Sequence, residues 1–371
     1  MRLSVGSFFL LAILFLPFLG KSQHFFDGFE HLFTAPKSYV IHHTVDDLVI
    51  DGRADELSWQ KAIWSDEFKD IEGDRKAEPL YSTRIKMLWD EEALYLYAEL
   101  EEPHVWAYYD KHDMIVYHEN DFEVFIDPER DAHNYYEFEV NARNTLFDLF
   151  MGTPYRNGGH AAIDWDATGF ASKVFVDGTL NNPDDLDKKW CVEMRIPFSS
   201  LTTDGNYIRP KGGDFWKVNF SRVQWQTQVK DGKYIKKINP ETGKNYPENN
   251  WVWSPQGLIN MHFPERWGLA FFSATPAGAK VDVQFPQDEI LSRYLWLIYY
   301  KQARYKQEHQ KYAVSPEELN LPARYAESGI SFSIRIKTSK DKYTATLESE
   351  NGIVLSINQK GHFINQQKNR K

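Results

Sequence analysis

The sequence predicts a mainly β protein: an antiparallel β-sandwich of jelly-roll type, followed by a C-terminal helix and a small β-meander. Many short segments alternate apolar and polar residues with a period of two, as half-buried strands do. Asp, Asn, Gly and Pro residues typical of turns separate these segments. The only long segment of helical periodicity comes near the C-terminus. We therefore expect a sandwich over residues 40–273 and a helix-containing appendage over residues 285–371.

Alternation defines the strands of the predicted sandwich. Eight segments show it: 84–90, 93–100, 121–127, 135–142, 172–176, 190–196, 215–225 and 267–272. In the third segment, Phe122, Val124 and Ile126 share one face. Asp121 and Glu123 fall on the opposite face, because successive side chains of a strand point to opposite sides. One face is thus predicted to form the core and the other to carry polar residues toward a ligand.

The C-terminal appendage is predicted from a change of period near residue 285. Within residues 288–312, Ile290, Tyr294, Leu297 and Ile298 recur at helical spacing. We expect this helix to pack on the sandwich through these four residues. Three strand candidates follow, at 330–336, 343–347 and 353–357.

The N-terminus predicts export. Arg2 precedes a 12-residue apolar stretch, residues 8–19 (FFLLAILFLPFL), and small and polar residues follow. This is the layout of a secretory signal peptide, and the stretch is too short to span a bilayer stably. We expect residues 1–22 to be removed, leaving a periplasmic or extracellular protein with no membrane span.

Composition excludes several classes of function. The net charge is −10 and no long basic run occurs, which argues against a nucleic-acid partner. Cys191 is the only cysteine, so an intrachain disulfide and a cysteine-built zinc site are excluded. The P-loop motif and the G-x-S-x-G nucleophile elbow are both absent.

Aromatic residues make up 15% of the chain, and those outside the alternating strands indicate a binding site. Trp and Tyr rings stack on the flat faces of sugars, whose hydroxyls bond to carboxylate, amide and guanidinium groups. The predicted carbohydrate-binding residues are Trp106, Tyr117, Asn120, Glu123, Asn141, Arg143, Trp225 and Trp253.

Acidic residues leave two further interpretations open. Asp127 and Asp131 lie in a turn, where carboxylates gather around calcium. A solvated acidic turn is favoured over a calcium site as the explanation of both residues. Asp121, Glu123, Glu137 and Glu139 could supply the paired carboxylates of a glycosidase, although adjacent strands bring carboxylates together by chance as well.

Several stretches together resemble carbohydrate-binding module family 9, part of the wider DOMON-like group of sandwiches. They are residues 49–56 (VIDGRADE) with Trp59, residues 85–90 with 94–97, Glu102-Pro103, residues 120–128 (NDFEVFIDP), residues 136–141 and residues 264–268 (PERWG). The resemblance implies a β-sandwich that binds sugars beside polysaccharide-degrading enzymes. It also implies that a structural calcium ion is present in some members.

The resemblance transfers two binding residues to this chain. Glu123 takes the position of the acidic residue that accepts sugar hydroxyls, and Tyr117 that of an aromatic platform. The second platform, a tryptophan, would lie just before Pro264, but residues 260–263 read NMHF. Glu139 replaces a family arginine.

The leading hypothesis is an exported, non-catalytic carbohydrate-binding protein that takes part in polysaccharide breakdown, with secreted glycan-degrading enzymes as partners. One alternative is a haem- or redox-binding DOMON sandwich, with Met261 and His262, or Met151 and His160, as axial ligands. The others are a glycoside hydrolase that uses the sheet carboxylates and a structural or adhesion module.

Overall fold

The computed structural model describes residues 27–202 and 205–366. The predicted signal peptide therefore lies outside the described residues. The helices are α1 Leu57–Lys61 and α2 Gln287–His309. The strands are β1 Ser38–His43, β2 Lys69–Asp70, β3 Thr83–Trp89, β4 Ala93–Glu101, β5 Asp121–Asp127, β6 Tyr135–Asn141, β7 Leu146–Met151, β8 Ala161–Ala162, β9 Ala171–Asp177, β10 Lys189–Pro197, β11 Phe215–Gln224, β12 Thr227–Lys230, β13 Lys233–Lys236, β14 Asn249–Val252, β15 Gly268–Pro276, β16 Arg324–Glu327, β17 Ile330–Thr338, β18 Tyr343–Ser349, β19 Val354–Asn358 and β20 Phe363–Asn365.

Thirteen strands form one hydrogen-bonded sheet that folds over a shared core. Eleven of them follow the order β8-β7-β6-β5-β11-β15-β1-β3-β4-β10-β9, while β14 pairs with β11 and β2 pairs with β14. The two ends of the path face each other. The ring centres of Phe198, just after β10, and Trp216 of β11 are 5.5 Å apart. The ring of Phe170, before β9, stacks on that of Phe138 of β6 with 5.4 Å between the ring centres. The predicted mainly β sandwich is confirmed.

The strand β1 joins the two halves and differs from the purely antiparallel prediction. It pairs in parallel with β15 on one side and with β3 on the other. Only Tyr39 and Ile41 belong to the core, so its alternation is too short to stand out in the sequence. The remaining neighbours along the path are antiparallel.

All eight strands predicted from alternation are present, and β5 has the predicted bounds. The strand β7 was missed because both of its faces are covered. Its Phe147, Leu149 and Met151 pack with Trp267 in a cluster outside the main core. A strand buried on both faces loses the apolar–polar alternation on which the prediction depends.

The predicted C-terminal helix and small sheet are confirmed, but the predicted packing of the helix is wrong. Tyr294 packs on Phe332 and Tyr325 of the five-stranded sheet β16-β17-β18-β19-β20, and Ile290 is only half-buried. The helix reaches the sandwich through other residues: Glu289 pairs with Lys217 and Arg130, and the Tyr300 ring stacks on Phe263. None of the helices in the described part of the chain is both long and apolar enough to cross a membrane.

Candidate functional site

The outer face of β5, β6 and β11 gathers the polar residues singled out in the sequence. Glu123 lies directly opposite Glu139 of β6 and opposite Ser221 of β11. Because Phe122 and Val140, the next pair along, point into the core, these three side chains share the outer face. Strand register thus collects residues from three separate parts of the sequence.

Four carboxylates meet on this face, and we call Asp121, Glu123, Glu137 and Glu139 the acidic cluster. All four are buried, and Glu123 is 5% exposed. One carboxylate oxygen from each of Asp121, Glu123 and Glu139 lies within 4.8 Å of those of the other two. Both oxygens of Asp121 and one oxygen of each glutamate have no hydrogen-bond partner in the described protein.

Burial makes these carboxyl groups hard to ionise. It raises the pKa of Glu123 to about 7, with Glu248 adding to the increase and Ser221 opposing it. Burial also raises the pKa of Asp121, Glu137 and Glu139 well above the ordinary range, and the neighbouring carboxylates raise it further. Like charges held close together in a poorly solvated site favour the protonated form.

Two exposed tyrosines border the acidic cluster. Tyr117, on the short 3₁₀ turn Val116–His118, is 39% exposed, and Tyr155, after β7, is 48% exposed. After burial, the charges of Glu137 and Glu139 raise the pKa of both hydroxyls. Both rings therefore lie within electrostatic reach of the cluster.

Trp225 supports Tyr117 through a hydrogen bond to its backbone. Its indole Nε1 donates to the Tyr117 carbonyl at 2.9 Å. Lys236 Nζ lies 3.2 Å from the centre of the Trp225 ring, a cation–π contact that occupies one face of the indole. Trp225 is half-buried, and its hydrogen bond holds the Tyr117 backbone in position.

His262 belongs to the stretch just before Pro264 and lies beside the site. Its Nδ1 lies 3.0 Å from the Tyr135 hydroxyl, and the Tyr155 ring meets it edge-on at 4.5 Å. Burial lowers the pKa of His262 to about 4, so the imidazole is neutral near pH 7. Sequence reasoning missed Tyr155, although an aromatic residue in a Pro/Gly-rich turn was a visible signal.

Asn120 and Asn141 hold the loops around the site. Asn120 Oδ1 accepts from the backbone of Trp225 at 2.8 Å, and its Nδ2 donates to Glu102 at 3.2 Å. Asn141 bonds with the backbone of Tyr109, Arg143 and Thr145. The side-chain amides of Asn120 and Asn141 thus form hydrogen bonds within the protein. Arg143, by contrast, is exposed in the turn after β6.

Two predicted tryptophans are not exposed, and the expectation that they lie next to solvent is wrong. Trp253 is 1% exposed and belongs to the main core, packed on Phe220. Trp106 is likewise buried. Trp253 follows directly after β14, which pairs with β11, so the loop that the sequence indicated is part of the packed sandwich.

Asp127 and Asp131, the predicted calcium ligands, bond to groups of the protein itself. The two Asp127 oxygens accept from the backbone of Arg130 at 2.7 Å and of Ala132 at 2.9 Å. Asp131 accepts from the His133 backbone at 2.8 Å and contacts His362 Nε2 at 3.0 Å. The structure therefore places these carboxylates as caps of a turn and as contacts to the C-terminal unit.

The predicted haem ligands are held by other contacts. Gln256 donates its amide to the sulfur of Met261 at 3.3 Å, and His262 Nδ1 pairs with Tyr135. Met151 is buried with Phe147, Leu149 and Trp267 in the apolar cluster outside the main core, while His160 is exposed. No observation at these four residues favours haem.

The fold is a β-sandwich with a cluster of buried carboxyl groups and two exposed tyrosines on one outer face. Residues 50–209 match the family model described as carbohydrate family 9 binding domain-like. This part of the chain is similar to that family of domains, in agreement with the resemblance that the sequence motifs carry. The family model describes a binding domain, which agrees with the interpretation of the chain as non-catalytic.

Some solved structures are similar to this chain at low sequence identity. A candidate carbohydrate-binding protein from Bacteroides uniformis shares 17% identity over 64% of this chain and 100% of its own, with a TM-score of 0.46. A carbohydrate binding module family 9 from Caldicellulosiruptor kristjanssonii shares 17% identity over 67% of this chain and 100% of its own. Its TM-scores are 0.39 in the complex with cellotriose and 0.38 in the complex with glucose. No curated protein matches this chain.

Proposed function

We propose that this chain binds a poly- or oligosaccharide on the outer face of β5, β6 and β11, between Tyr117 and Tyr155. The observation that carries the proposal is a pair of exposed aromatic rings bordering unpartnered carboxylate oxygens in a domain that matches a carbohydrate-binding family. Tyr155 would replace the platform that the family places before Pro264.

The acidic cluster suits sugar hydroxyls for a specific chemical reason. An ionised carboxylate only accepts hydrogen bonds, whereas a protonated carboxyl also donates one. Since the pKa of Glu123 is about 7, both forms are populated near neutrality. A sugar hydroxyl, which donates and accepts, would satisfy oxygens that have no partner within the described protein.

The number of contacts sets the expected affinity. Aromatic stacking contributes on the order of 1 kcal/mol beyond area burial, and a hydrogen bond to a charged group roughly 1.5–3 kcal/mol. A few such contacts correspond to micromolar to millimolar dissociation constants. The chain should therefore act as a weak, reversible binder.

The cellular setting is part of the same proposal. Arg2 and the apolar residues 8–19 support export through a signal peptide to the periplasm or the exterior. There the protein would hold a glycan near secreted enzymes that degrade it. Turnover of an aryl glycoside by the purified chain would contradict the non-catalytic part of this proposal.

Isothermal titration calorimetry with a soluble glycan chosen from a glycan array tests the site. Tyr117→Ala and Tyr155→Ala should each weaken binding about 5- to 10-fold, which corresponds to about 1 kcal/mol of lost stacking. Glu123→Ala should weaken it further, because truncation leaves sugar hydroxyls unpaired. Tyr207→Ala is the matched control, since Tyr207 is equally exposed elsewhere. Unchanged binding in the Tyr117 and Glu123 variants would move the site to another part of the sandwich.

A further inference from the structure

The acidic cluster gathers four buried carboxyl groups that are not paired with a Lys or Arg of the described protein. Among the described residues, no Lys or Arg forms an ion pair with Asp121, Glu123, Glu137 or Glu139. The nearest basic side chain recorded there is His262, 3.8 Å from Glu137. Burial of charge is costly unless the charge is paired, so this site favours an added cation or bound protons.

The Ser221 hydroxyl is a second, independent indication that this site binds a ligand. The Ser221 side chain is fully buried, and its hydroxyl has no hydrogen-bond partner in the described protein. It lies on β11 directly across from Glu123, so the two side chains share the outer face of the sheet. Buried hydroxyl groups in native proteins are normally satisfied.

We propose that Asp121, Glu123 and Glu139 form a binding site for a hard divalent cation of the calcium class, with the Ser221 hydroxyl as a further oxygen ligand. This site is separate from the Asp127 and Asp131 turn, whose oxygens are bonded to the protein. It does not depend on the carbohydrate proposal, although Glu123 takes part in both.

The spacing of the oxygens fits this class of ion. Calcium–oxygen distances are about 2.3–2.6 Å, so two ligands on opposite sides of the ion are separated by about 5 Å. The three carboxylate oxygens lie within 4.8 Å of one another, inside that span. All four ligand atoms are oxygens, and calcium tolerates irregular coordination better than magnesium does.

A second group of acidic residues in the structure lacks these features. His112, Asp113, Asp148 and Asp166 also come within metal-ligand distance of one another, but three of the four are exposed. His112 pairs with Asp148 at 3.3 Å and with Asp113 at 3.2 Å. Solvent and the imidazole already compensate these carboxylates, so this group supplies a control.

The test uses the mature full chain, freed of metal by a chelator and titrated with Ca²⁺ in the absence of any sugar. Calorimetry should show one binding event, and saturating Ca²⁺ should raise the Tm by about 3–5 °C through preferential binding to the folded state. Asp121→Asn and Glu139→Gln should each weaken Ca²⁺ binding at least tenfold. Each should also raise the Tm of the metal-free protein, because each removes a buried like charge.

Asp166→Asn is the matched control and should leave the Ca²⁺ affinity unchanged. The proposal is overturned if the wild type does not bind Ca²⁺, if Asp121→Asn and Glu139→Gln both keep wild-type affinity, or if Asp166→Asn loses it. Equal affinity for Mg²⁺ would overturn the calcium-class assignment. Because no sugar is present, a failure here leaves the carbohydrate proposal standing, and the reverse also holds.

Discussion

Gly268, the last residue of the PERWG stretch, makes room for a tryptophan. A Cβ at this position would lie 2.2 Å from Cζ3 of Trp253, inside the main core. The close approach explains a glycine whose backbone conformation is not itself unusual. The motif residue that the sequence singled out therefore serves packing.

We expect Gly268→Ala to lower the free energy of unfolding by about 2–3 kcal/mol, because the added methyl group overpacks a filled core. Chemical denaturation monitored by tryptophan fluorescence measures the change. Gly152→Ala is the control, since its Cβ would meet the nearest atom at an ordinary 3.6 Å. Equal stability of the two variants would mean that Trp253 moves aside at no cost.

The hydrogen bond between Trp59 and Glu193 shows the structural role of a second sequence motif, the VIDGRADE stretch with Trp59. Trp59 Nε1 donates to Glu193 Oε1 at 2.9 Å, and the backbone of Asp51 and Gly52 donates to Oε2. Gly52 approaches the backbone of Phe175 so closely that a Cβ would lie 2.9 Å from its nitrogen. The VIDGRADE stretch and Trp59 thus fasten the N-terminal segment to β9 and β10, on residues well apart from the candidate site.

The helix α2 joins the sandwich through buried charge. Glu289, in its first turn, lies 3.1 Å from Lys217 of β11 and 3.3 Å from Arg130 in the turn after β5. All three side chains are at most 7% exposed. The apolar side of the helix meanwhile packs on the small sheet, where Leu295 and Ile298 share a core with Leu347.

We expect Glu289→Gln to lower the free energy of unfolding by about 3 kcal/mol, because the buried Lys217 loses its counter-charge and Arg130 keeps only Asp288, at 3.6 Å, while the shape is kept. Thermal or urea unfolding would measure it. Glu308→Gln, an exposed change on the same helix, should alter stability by less than about 0.5 kcal/mol. A loss no larger than that of the control would show that water compensates Lys217 and Arg130.

For the molecule as a whole, buried carboxyl groups predict how stability depends on pH. Burial raises the pKa of Glu123, Asp127 and Glu193 to about 7, above their unfolded values near 4. Between these values the folded state binds more protons than the unfolded state, so stability falls as the pH rises. The loss should begin above about pH 4 and be complete once the pH exceeds the folded pKa values.

In chelator, the free energy of unfolding should therefore decrease from pH 5 to pH 8, by up to about 3 kcal/mol for Glu123 alone. Urea denaturation at several pH values measures the slope. Glu123→Gln should flatten the curve, whereas the exposed control Glu308→Gln should keep the wild-type slope. If stability instead rises with pH through this range, the acidic cluster is already neutralised in the folded protein.

Local patterns were enough to predict many of the elements. The alternation of residues 121–127 gave a strand with the observed bounds, and the helical period of residues 288–312 gave α2. The family resemblance singled out Tyr117 and Glu123, and in the structure Glu123 belongs to the acidic cluster, whose charges, after burial, raise the pKa of the Tyr117 hydroxyl. These features depend on side-chain spacing within one segment, which is written directly in the sequence.

Other features needed the tertiary structure, because they depend on which strands become neighbours. The sequence by itself determined that Glu123 and Glu139 lie on the outward faces of two strands. Only strand register sets them opposite each other, with Ser221 on the far side, and only burial takes their charges out of water. The exposure of Tyr155 and the burial of Trp253 were likewise decided by what packs around each residue. Exposure is a property of the packed chain and not of its local sequence pattern.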